Sequence, residues 1–280
     1  MYLYRWTALA LSLLLVLSGC SPASGEPERE RKKAKEERIR QMTPEDLLGE
    51  SLNSMGKMKG YRWNSTHRQQ LAFRNQPEKN TRVDMKQTVE MTRKPVRIHI
   101  DGTWSLHRKY LRETRPRRTY VTEKKEYRFD RNRWRERKRD GAGMTMNRET
   151  DPLWVLKKIR FAAEKTEVER KKNGLVITVR LEGKPAEPLL DPLSERWTPI
   201  PADAEARPVR PAAKVRLWVD KETFRLTKAE KAVEYTLDLE NEQIKVRQEW
   251  IHRLKGEVDK VQVPEKVQQS AILSERDPSR

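Results

Sequence analysis

The side chains that could carry out chemistry are few in this sequence and lie far apart. Cys20 is the only cysteine in 280 residues, so the chain can form no internal disulfide. The four histidines show neither HExxH nor any other metal-ligand spacing, and they are His67, His99, His107 and His252. Nucleophile-elbow, phosphate-loop and dinucleotide-binding motifs are also absent from the sequence. The residue types therefore predict a protein that is not an enzyme and that has no metal ion or cofactor.

Cys20 follows a short apolar segment near the amino terminus. Arg5 precedes a ten-residue apolar run, Ala8 to Leu17, which is too short to span a bilayer and is typical of a cleavable secretory signal. The run ends in LSGC, which resembles the lipobox of bacterial lipoproteins, whose cysteine is acylated and becomes the new amino terminus. The resemblance implies a signal peptide over residues 1–19, lipid (for example palmitate) on Cys20, and a protein anchored to the cell membrane on its extracytoplasmic face. An ordinary signal peptide with a chance cysteine is the alternative.

Charge is distributed unevenly over the rest of the chain. Residues 20–42 predict a charged flexible tether, although opposite charges four residues apart would also suit a transient helix. The formal net charge is +19, and residues 62–140 contain 24 lysines and arginines against 10 acidic residues. For an anchored extracytoplasmic protein, this surplus predicts attraction to anionic lipid headgroups or anionic wall polymer, and not to nucleic acid. A general adaptation of surface composition is the alternative.

Hydrophobic periodicity predicts the elements that would position a site. Residues 43–59 and 151–164 each begin with an N-cap followed by proline and continue with apolar residues at helical spacing. Elsewhere about ten segments alternate apolar and polar residues, which is typical of antiparallel strands with one buried face. The seven prolines of residues 182–211 predict a surface excursion and exclude a central strand. The fold class predicted is mainly β (α+β), with a single curved sheet or barrel.

Four segments in one order resemble Gram-positive lipoproteins of the LolA/LppX-like superfamily. They are TPEDLLGESLNSMGKMKGYRW, EYRFDRNRWRE, KVRLWVDKETFRLTKAE and VDKVQVPEKVQQSA. The resemblance covers residues 43–273 and leaves a disordered tail at 274–280. It implies an open, strongly curved antiparallel half-barrel with an N-terminal and a mid-chain helix on its concave side. In better-understood members that side holds lipid or acyl chains. The basic region 62–140 departs from the family's pattern.

Strand parity and this resemblance together predict a ligand cavity lined by apolar side chains. The predicted lining consists of Leu48, Leu52 and Met55 of the first helix and of Trp63, Phe73, Trp104, Phe129, Trp134, Trp218, Tyr235 and Trp250 of the strands. The function predicted is a membrane-anchored lipoprotein that binds a lipid or another hydrophobic ligand. In the alternative, the aromatic residues only fill a core, and the protein is an interaction or sensor protein that docks on anionic wall polymer, lipid headgroups or a protein partner.

Overall fold

The computed structural model describes residues 26–139, 151–160, 166–172, 174–191, 193, 200, 207–239 and 241–273. The predicted signal peptide, Cys20 and the tail lie outside these residues. The chain divides into two compact units, residues 1–43 and 44–280. In the first unit, helix α1 spans Glu26–Gln41 and occupies most of the segment predicted to be a tether. Of the helices among the described residues, none is long and apolar enough to cross a membrane.

Within the described residues, the second unit is built on one open sheet of twelve strands. The strands are β1 Gly60–Phe73, β2 Thr81–Arg93, β3 Val96–Arg108, β4 Leu111–Val121, β5 Lys125–Asp130, β6 Arg133–Lys138, β7 Thr166–Lys171, β8 Gly174–Glu182, β9 Arg207–Val219, β10 Leu226–Leu239, β11 Glu242–Glu257 and β12 Ile272–Leu273. Their order is β12-β6-β5-β4-β3-β2-β1-β11-β10-β9-β8-β7, so the first and last long strands meet in the middle. All pairs are antiparallel except β12 with β6. The predicted open antiparallel sheet is confirmed, with twelve strands where about ten were predicted.

Three helices accompany the sheet, and two of them were predicted. Helix α2 spans Pro44–Lys57 and helix α3 spans Pro152–Ile159, each starting at the proline that the sequence indicates. Asp151 is the N-cap of α3, because its side chain accepts a hydrogen bond from the backbone N–H of Leu153. The short helix α4 spans Glu265–Ser270. Single 3-10 turns cover Pro77–Lys79 and Lys184–Leu189.

Helices α2 and α3 lie against one face of the sheet. Tyr61 of β1 donates a hydrogen bond of 2.6 Å from its hydroxyl to Oδ1 of Asp151, which fixes the start of α3 over β1. Ser54 of α2 donates to the carbonyl oxygen of Thr223, in the turn between β9 and β10. We call the face that carries Tyr61 the inner face and the opposite one the outer face. Both helices direct their apolar residues into the buried core.

The prediction that the proline-rich stretch excludes a central strand was wrong at its C-terminal end. Strand β9 includes Pro208 and Pro211 and lies between β8 and β10. However, β8 pairs with β9 only as far as Ala212, and the register between β9 and β10 shifts just before it, at Arg210 and Pro211. Proline lacks the N–H that a central strand requires, and here Pro211 lies at this irregularity while Pro208 lies outside the part of β9 that pairs with β8.

Candidate ligand-binding face

The strand register divides the predicted aromatic lining between the two faces of the sheet. Residues directly opposite in antiparallel strands point to the same side, and following those pairs outward from Tyr61 identifies each face. The inner face carries Trp63, Phe73, Trp104, Tyr235 and Trp250. All of these are buried except Trp104, which is partly buried against Val83, Met85 and Leu106.

The other three aromatic residues of the predicted lining lie on the outer face. Phe129 and Trp134 are directly opposite one another in β5 and β6 and form an edge-to-face pair with ring centroids 5.4 Å apart. Trp218 of β9 lies under Lys228, whose Nζ is 4.1 Å from the ring centroid. The structure therefore separates these three residues from Trp63 and Trp250.

Helix α2 contributes two of its three predicted residues to the buried core. Leu48 and Met55 are buried, whereas Leu52 is only partly buried. Ser51 is fully buried on the same helix, and its hydroxyl has no hydrogen-bond partner within the described part of the chain. The face of α2 that is buried in the structure is thus rotated slightly from the face that the apolar spacing predicts.

A group of polar residues interrupts the apolar inner face at the middle of the sheet. We call this group the polar strip, and its members are Ser65, His67 and Gln69 of β1, Gln87 of β2, and Gln248 and His252 of β11. All six are buried, with at most 6% of each residue's surface exposed. Apolar residues lie on both sides of the strip along the strands, including Trp63 and Leu71 on β1.

The strip is continuous across three neighbouring strands. Ser65 lies directly between His252 on β11 and Gln87 on β2. One row further, His67 lies between Trp250 and Met85. The imidazole of His67 stacks on the indole of Trp250, with ring centroids 3.8 Å apart and planes 7° from parallel.

A buried ion pair borders the strip at β10. Nζ of Lys231 lies 2.5 Å from Oδ2 of Asp191, which also accepts a hydrogen bond from the indole N–H of Trp250. Lys231 donates in addition to the carbonyl oxygen of Leu189. The backbone of Asp191 exchanges two hydrogen bonds with the Gln248 side chain, so that glutamine is satisfied. The segment after the second 3-10 turn is therefore fixed over the inner face.

The remaining members of the strip hold polar atoms that are buried and unbonded. Within the described part of the chain no partner is present for Ser65 Oγ, both ring nitrogens of His67, Gln69 Nε2, Gln87 Oε1 and His252 Nδ1. The indole nitrogen of Trp63 and Oδ1 of Asp191 are also buried without a partner. In native proteins buried polar atoms are nearly always bonded to protein, water or ligand. So many unbonded atoms on one face need partners that water or another molecule would supply.

Both histidines of the strip are neutral over the physiological pH range. Burial, with the nearby positive charge of Lys231 adding to it, lowers the pKa of His67 to about 3. The same two causes lower the pKa of His252 to about 3. Each neutral imidazole has one nitrogen that donates and one that accepts a hydrogen bond.

Two other features of the described residues do not form a site. No group of three or more histidine, aspartate or glutamate side chains among them is arranged to hold a metal ion. A shallow cleft of about 360 Å³ lies at the ends of β1 and β10, and its lining includes Arg74, Asn75 and Glu242. Its polar groups already bond to one another, for example Asn75 N–H to Glu242 and Arg74 to Gln243.

The open antiparallel sheet with helices on its inner face agrees with the fold class predicted from the sequence. The chain belongs to DUF6612, a family of unknown function whose model matches residues 43–272. No curated protein matches the chain significantly in sequence. The Gram-positive type of the resemblance stays a prediction.

Solved structures with a similar arrangement superpose loosely on the chain. LprF from Mycobacterium bovis is 12% identical over 79% of this chain and 95% of LprF, with a TM-score of 0.37. A LolA superfamily protein from Nitrosomonas europaea is 10% identical over 80% of this chain and 99% of its own, with a TM-score of 0.25. A structure on lipid–protein interactions in lipovitellin is 8% identical over 73% of this chain and 26% of lipovitellin, with a TM-score of 0.35.

The polar strip was not predicted from the sequence, although a signal for it exists. In YRWNSTHRQQLAF, the positions that share parity with Tyr61 and Trp63 continue through Ser65, His67 and Gln69 before they return to leucine. A polar interruption of an otherwise apolar parity marks polar groups on a buried face. The contribution of Asp191 has no such signal, because it depends on the packing of a distant segment.

Proposed function

We propose that this protein is a membrane-anchored extracytoplasmic lipoprotein that binds a lipid or another amphiphilic ligand on the inner face of its sheet. The observation that supports this most strongly is the polar strip of unbonded atoms within an apolar face. A core filled only by side chains would leave these atoms unsatisfied, at a cost of about 1–3 kcal/mol for each group.

The inner face offers both surfaces that an amphiphile needs. Aromatic and aliphatic side chains, with Trp63 on one side of the strip and Leu71 and Phe73 on the other, provide apolar contact along β1. The strip between them provides hydrogen-bonding atoms. Binding sites for small molecules are typically apolar with a few convergent polar groups.

The proposed role is binding and not catalysis. A general base operating near neutral pH needs a pKa near that value. His67 and His252 both have a pKa of about 3 and so would be poor proton acceptors for a reaction, although they remain good hydrogen-bonding groups.

Membrane anchoring rests on the sequence around Cys20. The small residues before it suit cleavage, and its thiol suits acylation. Stable anchoring to a membrane needs more than one acyl chain. The lipobox resemblance implies that Cys20 carries such a modification. A lipid-anchored protein would hold its inner face close to a supply of amphiphiles.

The binding proposal is tested by extracting the purified full chain with organic solvent and identifying what is released by mass spectrometry. We expect a near-stoichiometric amphiphile from the wild-type protein and from Trp134→Phe, an outer-face control. The Ser65→Leu variant, which fills part of the strip, should release much less. Protein that folds normally and releases no amphiphile, even after incubation with a membrane extract, would contradict the proposal.

A second candidate function, docking on anionic lipid headgroups, is favoured by the hairpin between β3 and β4. Tyr110 and Leu111 at its tip are 85% and 44% exposed. They lie between the basic residues Arg108 and Lys109 on one side and Arg112 on the other. Exposed apolar side chains beside positive charge suit an anionic bilayer surface better than a soluble polymer.

The docking proposal is tested by flotation of the protein with vesicles. Binding to vesicles that contain phosphatidylglycerol should exceed binding to phosphatidylcholine vesicles and should weaken strongly in high salt. Changing both Lys109 and Arg112 to glutamine should cost about 2 kcal/mol, or about 30-fold in affinity. Lys172→Gln, in the turn between β7 and β8, is the control. Equal binding by the double variant and the control would contradict docking through this hairpin.

A further inference from the structure

We infer that the polar strip binds an uncharged part of the ligand that bears hydroxyl or amide groups, in preference to a carboxylate, a phosphate or an ammonium group. This inference rests on the proposed function, because it assigns the chemistry of the group that the inner face holds. It follows from the kinds of atoms that are unbonded, from the neutrality of the histidines and from the compensated charge beside them.

The unbonded atoms of the strip are a mixture of donors and acceptors. Gln69 Nε2 and the indole nitrogen of Trp63 can only donate, whereas Gln87 Oε1 can only accept. The Ser65 hydroxyl and the neutral imidazole of His67 can do both. A hydroxyl or an amide also donates and accepts, so it can satisfy such a set. A phosphate or a carboxylate only accepts hydrogen bonds. It could satisfy the donors of the strip, but it would leave the Gln87 oxygen without a donor and place negative oxygens against it.

The charges around the strip also favour an uncharged group. Lys231 is compensated by Asp191, and that carboxylate is further bonded to Trp250. An ammonium group placed among His67, Ser65 and Gln87 would therefore be desolvated beside neutral partners, which is strongly unfavourable. An anionic group there would have Arg117, at the border of the strip, as its counter-charge. Neither histidine is readily protonated to provide a counter-charge, because burial keeps both neutral.

Arg117 marks the border where an anionic group would find its best partner. It lies on the inner side of β4, and its Nη1 is 3.0 Å from the sulfur of Met85. Because a carboxylate would be drawn to this guanidinium and not to the strip, a fatty acid is the informative competitor for an uncharged ligand.

The size of the strip indicates more than one hydrogen-bonding group on the ligand. It crosses three strands that are about 4.8 Å apart, so its width is about 10 Å. Its unbonded atoms lie in at least two rows, at Ser65 and at His67. A glycerol-sized group spans one strand spacing of about 4.8 Å and can contact two neighbouring strands, and a larger polyhydroxyl group can contact all three, whereas a single alcohol contacts one.

The experiment measures displacement of an apolar fluorescent dye from the purified full-length Cys20→Ser protein by three amphiphiles of equal chain length. These are a monoacylglycerol, the corresponding fatty acid and the corresponding alkyl ammonium. We expect the monoacylglycerol to compete about tenfold better than either charged compound, because only it satisfies the strip without a buried charge. The inference would be overturned if the fatty acid competed as well as the monoacylglycerol or better. If Arg117→Gln then removed this competition, the headgroup would lie at Arg117.

Two glutamines on the same strand provide a matched pair of variants. Gln69 is on the inner face, and its neighbour Gln70 is on the outer face. Gln69→Leu should remove most of the preference for the monoacylglycerol and keep dye binding, whereas Gln70→Leu should change neither. An unchanged preference in Gln69→Leu would also overturn the inference.

The outcomes separate this inference from the proposed function. If the dye and all three amphiphiles bind with similar affinity, the inner face is a ligand site and only the headgroup assignment fails. If neither the dye nor any amphiphile binds to protein that has been delipidated and shown to be folded, the proposed function fails and the headgroup assignment with it. A strip that is occupied by water alone predicts this second result.

Discussion

The Nζ of Lys231 and Oδ2 of Asp191 are 2.5 Å apart, and neither side chain is more than 3% exposed. The pair joins a central strand of the sheet to the end of the 3-10 turn that covers it, and it sets the boundary of the polar strip. Trp250, which stacks on His67, is bonded to the same carboxylate oxygen. The ion pair therefore holds in place one of the rings on which the strip is built.

Breaking this ion pair on one side should destabilise the protein strongly. Lys231→Met leaves the Asp191 carboxylate buried with only the Trp250 N–H, and the free energy of unfolding should fall by about 3–5 kcal/mol. The double variant Lys231→Met with Asp191→Asn should lose less than Lys231→Met alone, because no uncompensated charge remains. Urea unfolding of the wild type, of Lys231→Met, of Asp191→Asn and of the double variant measures the coupling. Losses of unfolding free energy that simply add would show that the two groups do not interact.

Acid should destabilise the protein through the two buried histidines. Their pKa is about 3 in the folded state and 6.5 as the ordinary value. Between pH 6.5 and pH 3 the unfolded chain therefore takes up protons that the folded chain does not. The stability that depends on neutral histidines is fully present above pH 6.5. As the pH falls through this window, each histidine should lower the free energy of unfolding by about 1.4 kcal/mol per pH unit.

Stability curves at pH 7 and pH 5 measure this effect in the wild type and in a His67→Gln variant. The variant should lose less stability between the two pH values, since one of the two titrating groups is gone. An outer-face control, His107→Gln, should behave like the wild type. If the His67→Gln and wild-type curves fall equally with pH, His67 is not held neutral by its surroundings.

The start of α3 depends on one carboxylate with two bonded partners. Asp151→Ala removes the N-cap and leaves the buried Tyr61 hydroxyl unpaired, which should cost about 2–4 kcal/mol in the free energy of unfolding. Asp151→Asn keeps an oxygen that accepts from both the helix N–H and Tyr61, so it should cost much less. Thermal unfolding of both variants checks the ranking, and equal losses would mean that the two hydrogen bonds accepted by this side chain contribute nothing.

Much of the fold could be predicted because the periodicity of the sequence is regular. Both helix starts carry an N-cap followed by proline in the sequence, and long strands such as β2 alternate, from Thr81 to Met91, between buried residues and residues that are exposed or partly exposed. The face of the shorter strands could not be predicted in this way. Phe129 follows a turn after β4, and the register across that turn directs Phe129 and its partner Trp134 outward. Parity within one strand does not determine its phase relative to the next.

The site was predicted less well than the fold, for a related physical reason. Apolar aromatic residues were chosen as the lining, whereas the distinctive residues of the inner face are polar ones between them. The histidines were tested only as metal ligands, and two of them instead occupy the buried parity of β1 and β11. The pairing of Lys231 with Asp191 joins residues 40 positions apart through a proline-rich segment, and no local pattern indicates it.

Anchoring at Cys20 is tested independently of the inner face. Metabolic labelling with a fatty-acid analogue should mark the wild-type protein and recover it in the membrane fraction. The Cys20→Ser protein should carry no label and should remain unprocessed or move to the soluble fraction. Equal labelling of both proteins would contradict lipid attachment at this residue.

The binding of an amphiphile to the inner face is tested most directly by quenching of individual tryptophans with a bromine-labelled monoacylglycerol. Bromine quenches indoles at short range, so Trp63 and Trp250 should be quenched, whereas Trp134 and Trp218 on the outer face should not. Replacing Trp63 by phenylalanine should therefore reduce the quenched fraction of the emission, and replacing Trp218 should raise it. Quenching that is the same in both variants, or that is absent from the folded protein at saturating ligand, would contradict binding on the inner face.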